Sequence, residues 1–199
     1  IAVSRGLGDV YKRQLQILIR CLDFRGFMEP IHRVAVVGAG NMGSGIAQKS
    51  AQEEFDVQMV DRELQWVERG QSIIADFLSE AVERRIFSPA QVESIQRRIT
   101  GVVGVENTAE DTDLVIEAVF EDFDVKTAVF NALDEACGDS TILASNTSSL
   151  SVNALAEATG RADRFVGLHF FYHPAKNRLV EVIPCLLYTS DAADEYSGV

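Results

Sequence analysis

Three glycines near the start of the chain could hold a diphosphate. They stand in the sequence GAGNMG, directly after a short apolar run and at the start of a segment with helical spacing. The first glycine permits a tight turn, the second has no side chain to block a pyrophosphate, and the third lets helix and strand pack closely. Amides at a helix start bind phosphate through their partial positive charge. The residues expected to line the diphosphate are Gly38, Ala39, Gly40, Asn41, Met42 and Gly43.

An acidic residue follows at the distance expected for ribose recognition. Asp61 ends the second apolar run, 23 residues after Gly38. A carboxylate at this position accepts hydrogen bonds from the adenine ribose hydroxyls and disfavours the extra phosphate of NADP. The motif therefore predicts NAD as the cofactor. Arg62 argues against this preference, since an arginine can accommodate that phosphate, but we interpret it as a solvated surface residue.

The elements around these residues alternate between strand and helix. Helical spacing covers 41–53 and 63–87, and Ser88-Pro89 ends the long helix and starts a shorter one up to about residue 98. This alternation predicts an α/β fold of the Rossmann type, a doubly wound and mostly parallel sheet covered on both faces. The predicted strands are 32–37, 55–60, 99–105, 114–119, 141–144, 165–168 and 179–183.

Composition excludes several classes of function. The chain has 199 residues, and 18 basic against 30 acidic side chains give a formal net charge of −12. This charge is opposite to that of nucleic-acid-binding proteins. No apolar stretch approaches the roughly 18 to 20 residues of a membrane span, and no secretion signal is visible, so we expect a cytoplasmic protein. Cys21, Cys137 and Cys185 are odd in number and widely spaced, which indicates neither a disulfide framework nor a metal site.

The two termini match each other at the level of DNA. Residues 9–14 (DVYKRQ) and 185–190 (CLLYTS) can be encoded by an inverted repeat that resembles the transposase end used in sequencing libraries. We therefore expect residues 1–14 and 185–199 to be adapter-derived and non-native. Residues 15–27 form an upstream segment of uncertain origin, since Met28 could be the natural start. The natural domain is expected at 28–184, and nothing in it repeats or suggests a linker.

Two of the three histidines lie in one segment, GLHFFYHPAKNRLVEVI, at residues 167–183. With VAVVGAGNMGSGIAQ, DLVIEAVFEDFDVK and ASNTSSLS before it, this segment resembles the NAD-binding domain of the 3-hydroxyacyl-CoA dehydrogenase family. The resemblance covers nearly all of 33–183 and keeps the order and the spacing of four motifs. His32 precedes the first strand, where we expect a surface role.

The resemblance implies roles for five residues. His169 matches the catalytic base, and Glu181 matches the carboxylate that orients its ring. Imidazole ordinarily titrates near neutrality, so a neutral His169 can take a proton from a substrate hydroxyl. Ser148 matches the serine that bonds the substrate oxygen near the nicotinamide. Glu121 and Lys126 match positions that line the cofactor site.

One stretch departs from the family pattern. The family has Asn-Pro after HFF, whereas this chain has Tyr172, His173 and Pro174 and keeps the spacing from His169 to Glu181. Tyr172 has no carboxamide to position the reacting groups, which puts the substrate range in doubt more than the reaction. We interpret His173 as a surface or supporting histidine rather than a second acid or base.

The resemblance implies NAD-dependent oxidation of an L-3-hydroxyacyl-CoA to the 3-oxoacyl-CoA, as in fatty acid β-oxidation. Family members carry a further all-helical domain that closes the substrate cleft and makes homodimer contacts, and this chain is truncated where that domain would begin. We expect the fragment to bind NAD with little turnover. The alternatives are another Rossmann dehydrogenase, of the β-hydroxyacid or nucleotide-sugar type, and a crystallin-like nucleotide-binding relative without catalysis.

Overall fold

A computed structural model of the protein describes residues 31–177 and 179–185. The segments 1–14 and 15–27 lie outside the described residues, as does all of 185–199 except Cys185. The strands are β1 (Arg33–Val37), β2 (Asp56–Asp61), β3 (Ile99–Val103), β4 (Leu114–Glu117), β5 (Ile142–Ser145), β6 (Phe165–Phe170) and β7 (Val180–Pro184). The helices are α1 (Asn41–Gln52), α2 (Leu64–Glu83), α3 (Pro89–Arg97), α4 (Phe123–Ala136) and α5 (Val152–Glu157), with 3-10 turns at Val105–Asn107 and Ala162–Arg164.

The strands form one seven-stranded sheet in the order β3-β2-β1-β4-β5-β6-β7. Neighbouring strands from β3 to β6 are parallel, and β7 pairs antiparallel with β6. The strand order reverses between β1 and β4, which places a crevice at the carboxyl ends of these two strands. The doubly wound, mostly parallel sheet predicted from the sequence is therefore confirmed.

The central strands bury both of their faces. In β1, Val34 and Val36 belong to one apolar cluster, while Ala35 and Val37 belong to the other. Helices α1, α2 and α3 contribute to the first cluster, and α4 and α5 contribute to the second. Because successive side chains point to opposite faces, a strand between two helical layers is apolar at every position. Among the described residues, no helix is long and apolar enough to cross a membrane.

The long helix α2 ends earlier than its apolar pattern predicts. It stops at Glu83 rather than near residue 87, because Arg85 adopts a left-handed backbone with φ +58°. The amide of Arg85 then donates to Val82 and that of Ile86 to Ala81, which is the hydrogen-bonding pattern of a Schellman turn. Ser88 starts α3 with a reciprocal capping box, as its position before a proline predicts.

Candidate active site

The residues expected to act in binding and catalysis lie at one edge of the sheet, where the parallel strands reach their carboxyl ends. The glycine turn follows β1, and Asp61 is the last residue of β2. The loop after β4 carries Glu121, the loop after β5 carries Ser148, and His169 is the penultimate residue of β6. This edge, on either side of the crevice between β1 and β4, is where open α/β sheets bind their ligands.

The glycine turn has the geometry that a bound diphosphate requires. Gly38 has φ +104°, and a Cβ there would lie 2.7 Å from the carbonyl oxygen of Ala118. A Cβ on Gly43 would overlap the carbonyl oxygen of Gly38, so this contact between helix and turn requires glycine. A Cβ on Gly40, in contrast, would meet no protein atom within 4 Å. Gly40 therefore leaves open the space that a dinucleotide diphosphate would fill.

Asp61 is tied to the same turn. Its Oδ2 accepts a hydrogen bond of 2.7 Å from the amide of Ala39, and its Oδ1 accepts one of 2.8 Å from the amide of Arg62. These bonds fix the carboxylate beside the glycine turn and leave lone pairs on both oxygens. The side chain of Arg62 is exposed and lies 3.4 Å from Glu63. The residues at this edge thus fit an NAD molecule with its adenine ribose at Asp61.

His169 and Glu181 form a direct pair. They lie opposite each other in the antiparallel register of β6 and β7, and Nδ1 of His169 lies 2.9 Å from Oε2 of Glu181. The neighbouring carboxylate assigns a proton to Nδ1, which leaves Nε2 as the acceptor nitrogen. The imidazole is about one-fifth exposed and packs at 4.7 Å from the ring of Phe171. The structure therefore brings together the two residues that the sequence separates by twelve positions.

Asn146 connects the loop after β5 to the end of β6. Its side-chain oxygen accepts a 2.8 Å hydrogen bond from the amide of Phe170, next to His169. The backbone amide of Asn146 donates to the backbone carbonyl of Glu117 at the end of β4. The ends of three adjacent strands are thus held together beside the histidine.

Glu121 forms hydrogen bonds with the loop that contains Ser148. Its Oε1 accepts hydrogen bonds from the hydroxyl of Thr147 at 2.5 Å, the amide of Ser148 at 2.9 Å and the amide of Ser149 at 3.1 Å. The hydroxyl of Ser149 donates to the same oxygen at 3.0 Å. Ser148 itself is exposed, and no hydrogen bond to its hydroxyl is found within the described residues. The loop is thereby fixed while the hydroxyl that would meet a substrate is left available.

The pKa of the Glu121 carboxyl is lowered to about 2. Partial burial acts in the opposite direction and raises it, but the hydrogen bonds from Thr147, Ser148 and Ser149 and the positive charge of Lys126 outweigh that effect. Glu121 is therefore negatively charged at neutral pH, at the carboxyl edge of the sheet.

Lys126 lies beneath the surface rather than along it. Its side chain is 1% exposed, and its ammonium lies 2.6 Å from Oε1 of Glu117 and 3.3 Å from Oε2 of Glu121. Glu117 is completely buried, and it also accepts hydrogen bonds from the Val119 amide and the Ser145 hydroxyl, both at 2.7 Å. Glu117 was not predicted from the sequence. The signal available for it is a single carboxylate in the apolar run LVIEAV.

An open groove lies next to the histidine segment. It is lined by Phe77 of α2 and by Tyr172, His173, Lys176 and Asn177. Tyr172 is 71% exposed, and the Lys176 ammonium lies 4.7 Å from the centre of the Phe77 ring. Of the two positions expected for His173, surface or supporting, the surface position is not the one found. Its ring is buried against Phe77 at 4.1 Å, and this burial, followed by the charge of Lys176, lowers its pKa.

Comparison with known proteins identifies the family. Residues 33–195 match the family model described as 3-hydroxyacyl-CoA dehydrogenase, NAD binding domain. A probable 3-hydroxybutyryl-CoA dehydrogenase of Bacillus subtilis is 39% identical over 163 residues, which is 82% of this chain and 56% of the relative. The fatty acid oxidation complex subunit alpha of Psychrobacter cryohalolentis is 40% identical over 77% of this chain and 21% of its own length.

Comparison with solved structures finds the same kind of relative. The crystal structure of (S)-3-hydroxybutyryl-CoA dehydrogenase from Ralstonia eutropha superposes with a TM-score of 0.76 at 40% identity, covering 83% of this chain and 59% of that one. The chain spans about half the length of the first curated relatives it matches. The family match runs past residue 184 into the segment expected to be adapter-derived, and the domain boundaries stay a prediction.

Proposed function

The chain belongs to the 3-hydroxyacyl-CoA dehydrogenase family, and from this premise we propose that it oxidises an L-3-hydroxyacyl-CoA to the 3-oxoacyl-CoA with NAD. The observation that carries the proposal is the 2.9 Å pair of His169 and Glu181 at the carboxyl edge of the NAD-binding domain. An imidazole oriented by a carboxylate beside a dinucleotide site is suited to removing a proton from an alcohol.

His169 is the base of the reaction. Since Nδ1 donates to Glu181, the lone pair on Nε2 takes the proton from the substrate hydroxyl. When bound, NAD would supply the acceptor for the hydride that leaves the same carbon as the carbonyl forms. Glu181 keeps the ring in the correct tautomer and stabilises the imidazolium that results.

Ser148 and the glycine turn position the reactants. The hydroxyl of Ser148 hydrogen-bonds the substrate oxygen, and the loop around it is fixed by Glu121. Gly38 and Gly40 would hold the diphosphate of NAD, and Asp61 would hold its adenine ribose. Orienting two reactants in this way removes much of the entropic barrier of a bimolecular reaction.

The groove beside the histidine segment is suited to the acyl-CoA substrate. It offers the aromatic rings of Phe77 and Tyr172, which suit the apolar portions of such a ligand, and the ammonium of Lys176, which lies 3.6 Å from Oε2 of Glu80. Tyr172 occupies the position of the family asparagine and is mostly exposed. We propose that its ring sets the acyl-chain preference.

The chain is proposed to be a fragment without substantial turnover. It spans about half the length of its first curated relatives, and the proposed groove lies open on the described part of the chain. A further helical domain would supply the second wall of the cleft and the contacts of a homodimer. Without that wall, the substrate loses much of its positioning.

The test uses the parent protein, extended past residue 184. It is incubated with NAD and 3-hydroxyacyl-CoA substrates of increasing chain length, and NADH formation is followed by absorbance. A β-hydroxyacid without CoA and a nucleotide sugar serve as competing substrates. Oxidation of the hydroxyacyl-CoA alone supports the proposal. Oxidation of either competitor instead, or NAD binding without any turnover, would reject it in favour of another Rossmann dehydrogenase or a non-catalytic relative.

A further inference from the structure

The segment that follows β6, residues 171–177, lies against two helices. Its residue His173 is only 7% exposed. The imidazole packs against the ring of Phe77 in α2, with 4.1 Å between the ring centres. Towards α1, a Cβ built on Gly45 would lie 3.0 Å from Cε1 of His173 and 2.9 Å from Cδ of Pro174. His173 therefore contacts both helices, and α1 admits it because residue 45 is glycine.

The same histidine folds the segment into a turn. Its Nδ1 accepts a 3.2 Å hydrogen bond from the amide of Ala175. Its backbone carbonyl accepts from the amides of Lys176 at 2.9 Å and Asn177 at 2.7 Å. Oδ1 of Asn177 then accepts a 3.2 Å hydrogen bond from the amide of Leu179, directly before β7. The path of the chain from β6 to β7 thus depends on hydrogen bonds that begin at His173.

Packing alone does not account for a histidine at this position. Burial, followed by the charge of Lys176, lowers the pKa of His173, so its imidazole is neutral at neutral pH. Since Nδ1 accepts a hydrogen bond, the proton is on Nε2, which is buried and has no hydrogen-bond partner among the described residues. A buried donor without a partner destabilises the fold, whereas a phenylalanine would pack against Phe77 without such a group. The feature that requires histidine is therefore the bond from Ala175 to Nδ1.

This turn carries most of the groove described above. Apart from Phe77, the residues that line the groove all belong to the 171–177 segment. The ring of Tyr172 packs edge-on against the imidazole of His173 at 5.4 Å, and the ammonium of Lys176 lies over the Phe77 ring. The positions of Tyr172 and Lys176 in the groove therefore depend on where His173 holds the turn.

We propose that His173 is a positioning residue, which fixes the 171–177 segment on α1 and α2 and so holds the groove in the shape that the acyl-CoA substrate requires. It acts through Tyr172 and Lys176, because its own ring is almost completely buried. The inference rests on the proposed function. Its test includes the order of the segment without ligand, so its failure is distinguishable from failure of the proposed function.

The main variant is His173→Phe in the parent protein, which keeps an aromatic ring against Phe77 and removes the acceptor for the Ala175 amide. The second variant, Gly45→Ala, leaves the histidine in place and puts a methyl group where its ring and Pro174 approach α1. His32→Phe is the matched control, because His32 is exposed and precedes β1 at the opposite edge of the sheet.

The first readout is amide hydrogen exchange in the protein without ligands. We expect the Lys176 and Asn177 amides to exchange at least about tenfold faster in both variants, while the amides of β1 keep their wild-type rates and show that the fold is intact. His32→Phe should exchange as wild type does. Unchanged exchange of the two amides in His173→Phe would overturn the proposal.

The second readout separates KM from kcat, with 3-hydroxybutyryl-CoA as the probe. We expect His173→Phe to raise KM at least about fivefold and to leave kcat and the Kd for NAD within about twofold of wild type, because the pair of His169 and Glu181 is held by the register of β6 and β7. An unchanged KM, or a fall in kcat alone, would overturn the proposal. If wild type oxidises no hydroxyacyl-CoA, the proposed function fails, and the exchange rates alone decide whether His173 holds the segment.

Discussion

The position of one proton decides how His169 can act. With Nδ1 bonded to the Glu181 carboxylate, Nε2 is the nitrogen left to accept the substrate proton. An amide in place of that carboxylate could donate to Nδ1, which would favour the opposite tautomer. The chemistry therefore depends on the identity of residue 181 and not only on the distance between the two side chains.

We predict that Glu181→Gln in the parent protein lowers kcat by at least about a hundredfold, because the imidazole loses both its orientation and its counter-charge. The Kd for NAD should change less than about twofold, since Glu181 lies outside the glycine turn and the Asp61 contacts. Steady-state kinetics and calorimetry measure the two quantities. Glu157→Gln, an exposed substitution at the end of α5, is the control. A kcat close to wild type would remove Glu181 from the mechanism.

Glu121 gives a second prediction at this scale, in the pH dependence of stability. Its pKa is about 2 in the folded chain against 4.5 as the reference value, so the ionised form is favoured by folding. The stabilisation is fully present above the unfolded pKa and is lost as pH falls from about 4.5 towards 2. Because the side chain is partly exposed, solvent screening limits it to the order of 1 kcal/mol.

Urea unfolding of wild type and Glu121→Gln at pH 7, 4.5 and 2.5 checks this sign. The difference in the free energy of unfolding should be largest at pH 7 and should shrink as the pH falls. A difference that grows towards low pH would contradict the assigned hydrogen bonds.

At the scale of elements, two glycines of the turn between β1 and α1 are needed for different reasons, Gly43 for packing and Gly40 for binding. Gly43 packs against the carbonyl of Gly38, whereas Gly40 faces open space with an extended backbone that any residue adopts. We predict that Gly40→Ala leaves the free energy of unfolding within about 0.5 kcal/mol of wild type and weakens NAD binding at least about tenfold. Gly43→Ala should lose about 1–3 kcal/mol of stability from overpacking. Urea titration and calorimetry on both variants separate the two effects, and equal stability losses would contradict the assignment.

The strands were predictable because each is an apolar run between turn residues, and the observed bounds differ from the predicted ones by at most two residues. The antiparallel direction of β7 was not predictable, since the run LVEVI has the same pattern in a parallel and an antiparallel strand. The Schellman turn at Arg85 was also missed, because apolar spacing continues through residues 84–87 while only the backbone dihedral ends the helix.

The site was predictable where a local motif carries it. The glycine turn and Asp61 follow from spacing, and the pairing of His169 with Glu181 follows from family resemblance. Glu117 could not be found in this way, because its partners Lys126 and Ser145 lie on other elements and meet it only in the folded chain. The burial of His173 could not be predicted for the same reason, since its contact with Phe77 joins α2 to the segment after β6.

At the scale of the whole molecule, the described sheet has helices on both faces and a groove that is open on one side. Apolar side chains remain exposed around the last strand, with Tyr172 at 71%, Leu179 at 55% and Ile183 at 37%. Exposed apolar surface of this kind is typical of an interface that another domain or chain covers.

We therefore predict that the 199-residue chain binds NAD with an affinity within about tenfold of the parent protein but turns over hydroxyacyl-CoA at least about a thousandfold more slowly. The glycine turn and Asp61 are in place, whereas the groove lies open on the described part of the chain. Calorimetry and NADH formation with equal amounts of the two proteins measure both quantities. Full turnover by the shorter chain would show that the cleft needs no further domain.

The most direct test of the account compares two histidine variants of the parent protein. His169 stands at the carboxyl edge beside Glu181, whereas His32 is exposed before β1, at the opposite edge of the sheet. NADH formation from a 3-hydroxyacyl-CoA is measured for wild type, His169→Ala and His32→Ala, with the Kd for NAD measured alongside. We predict that His169→Ala abolishes turnover while NAD binding and the activity of His32→Ala are retained. Undiminished turnover in His169→Ala would contradict it.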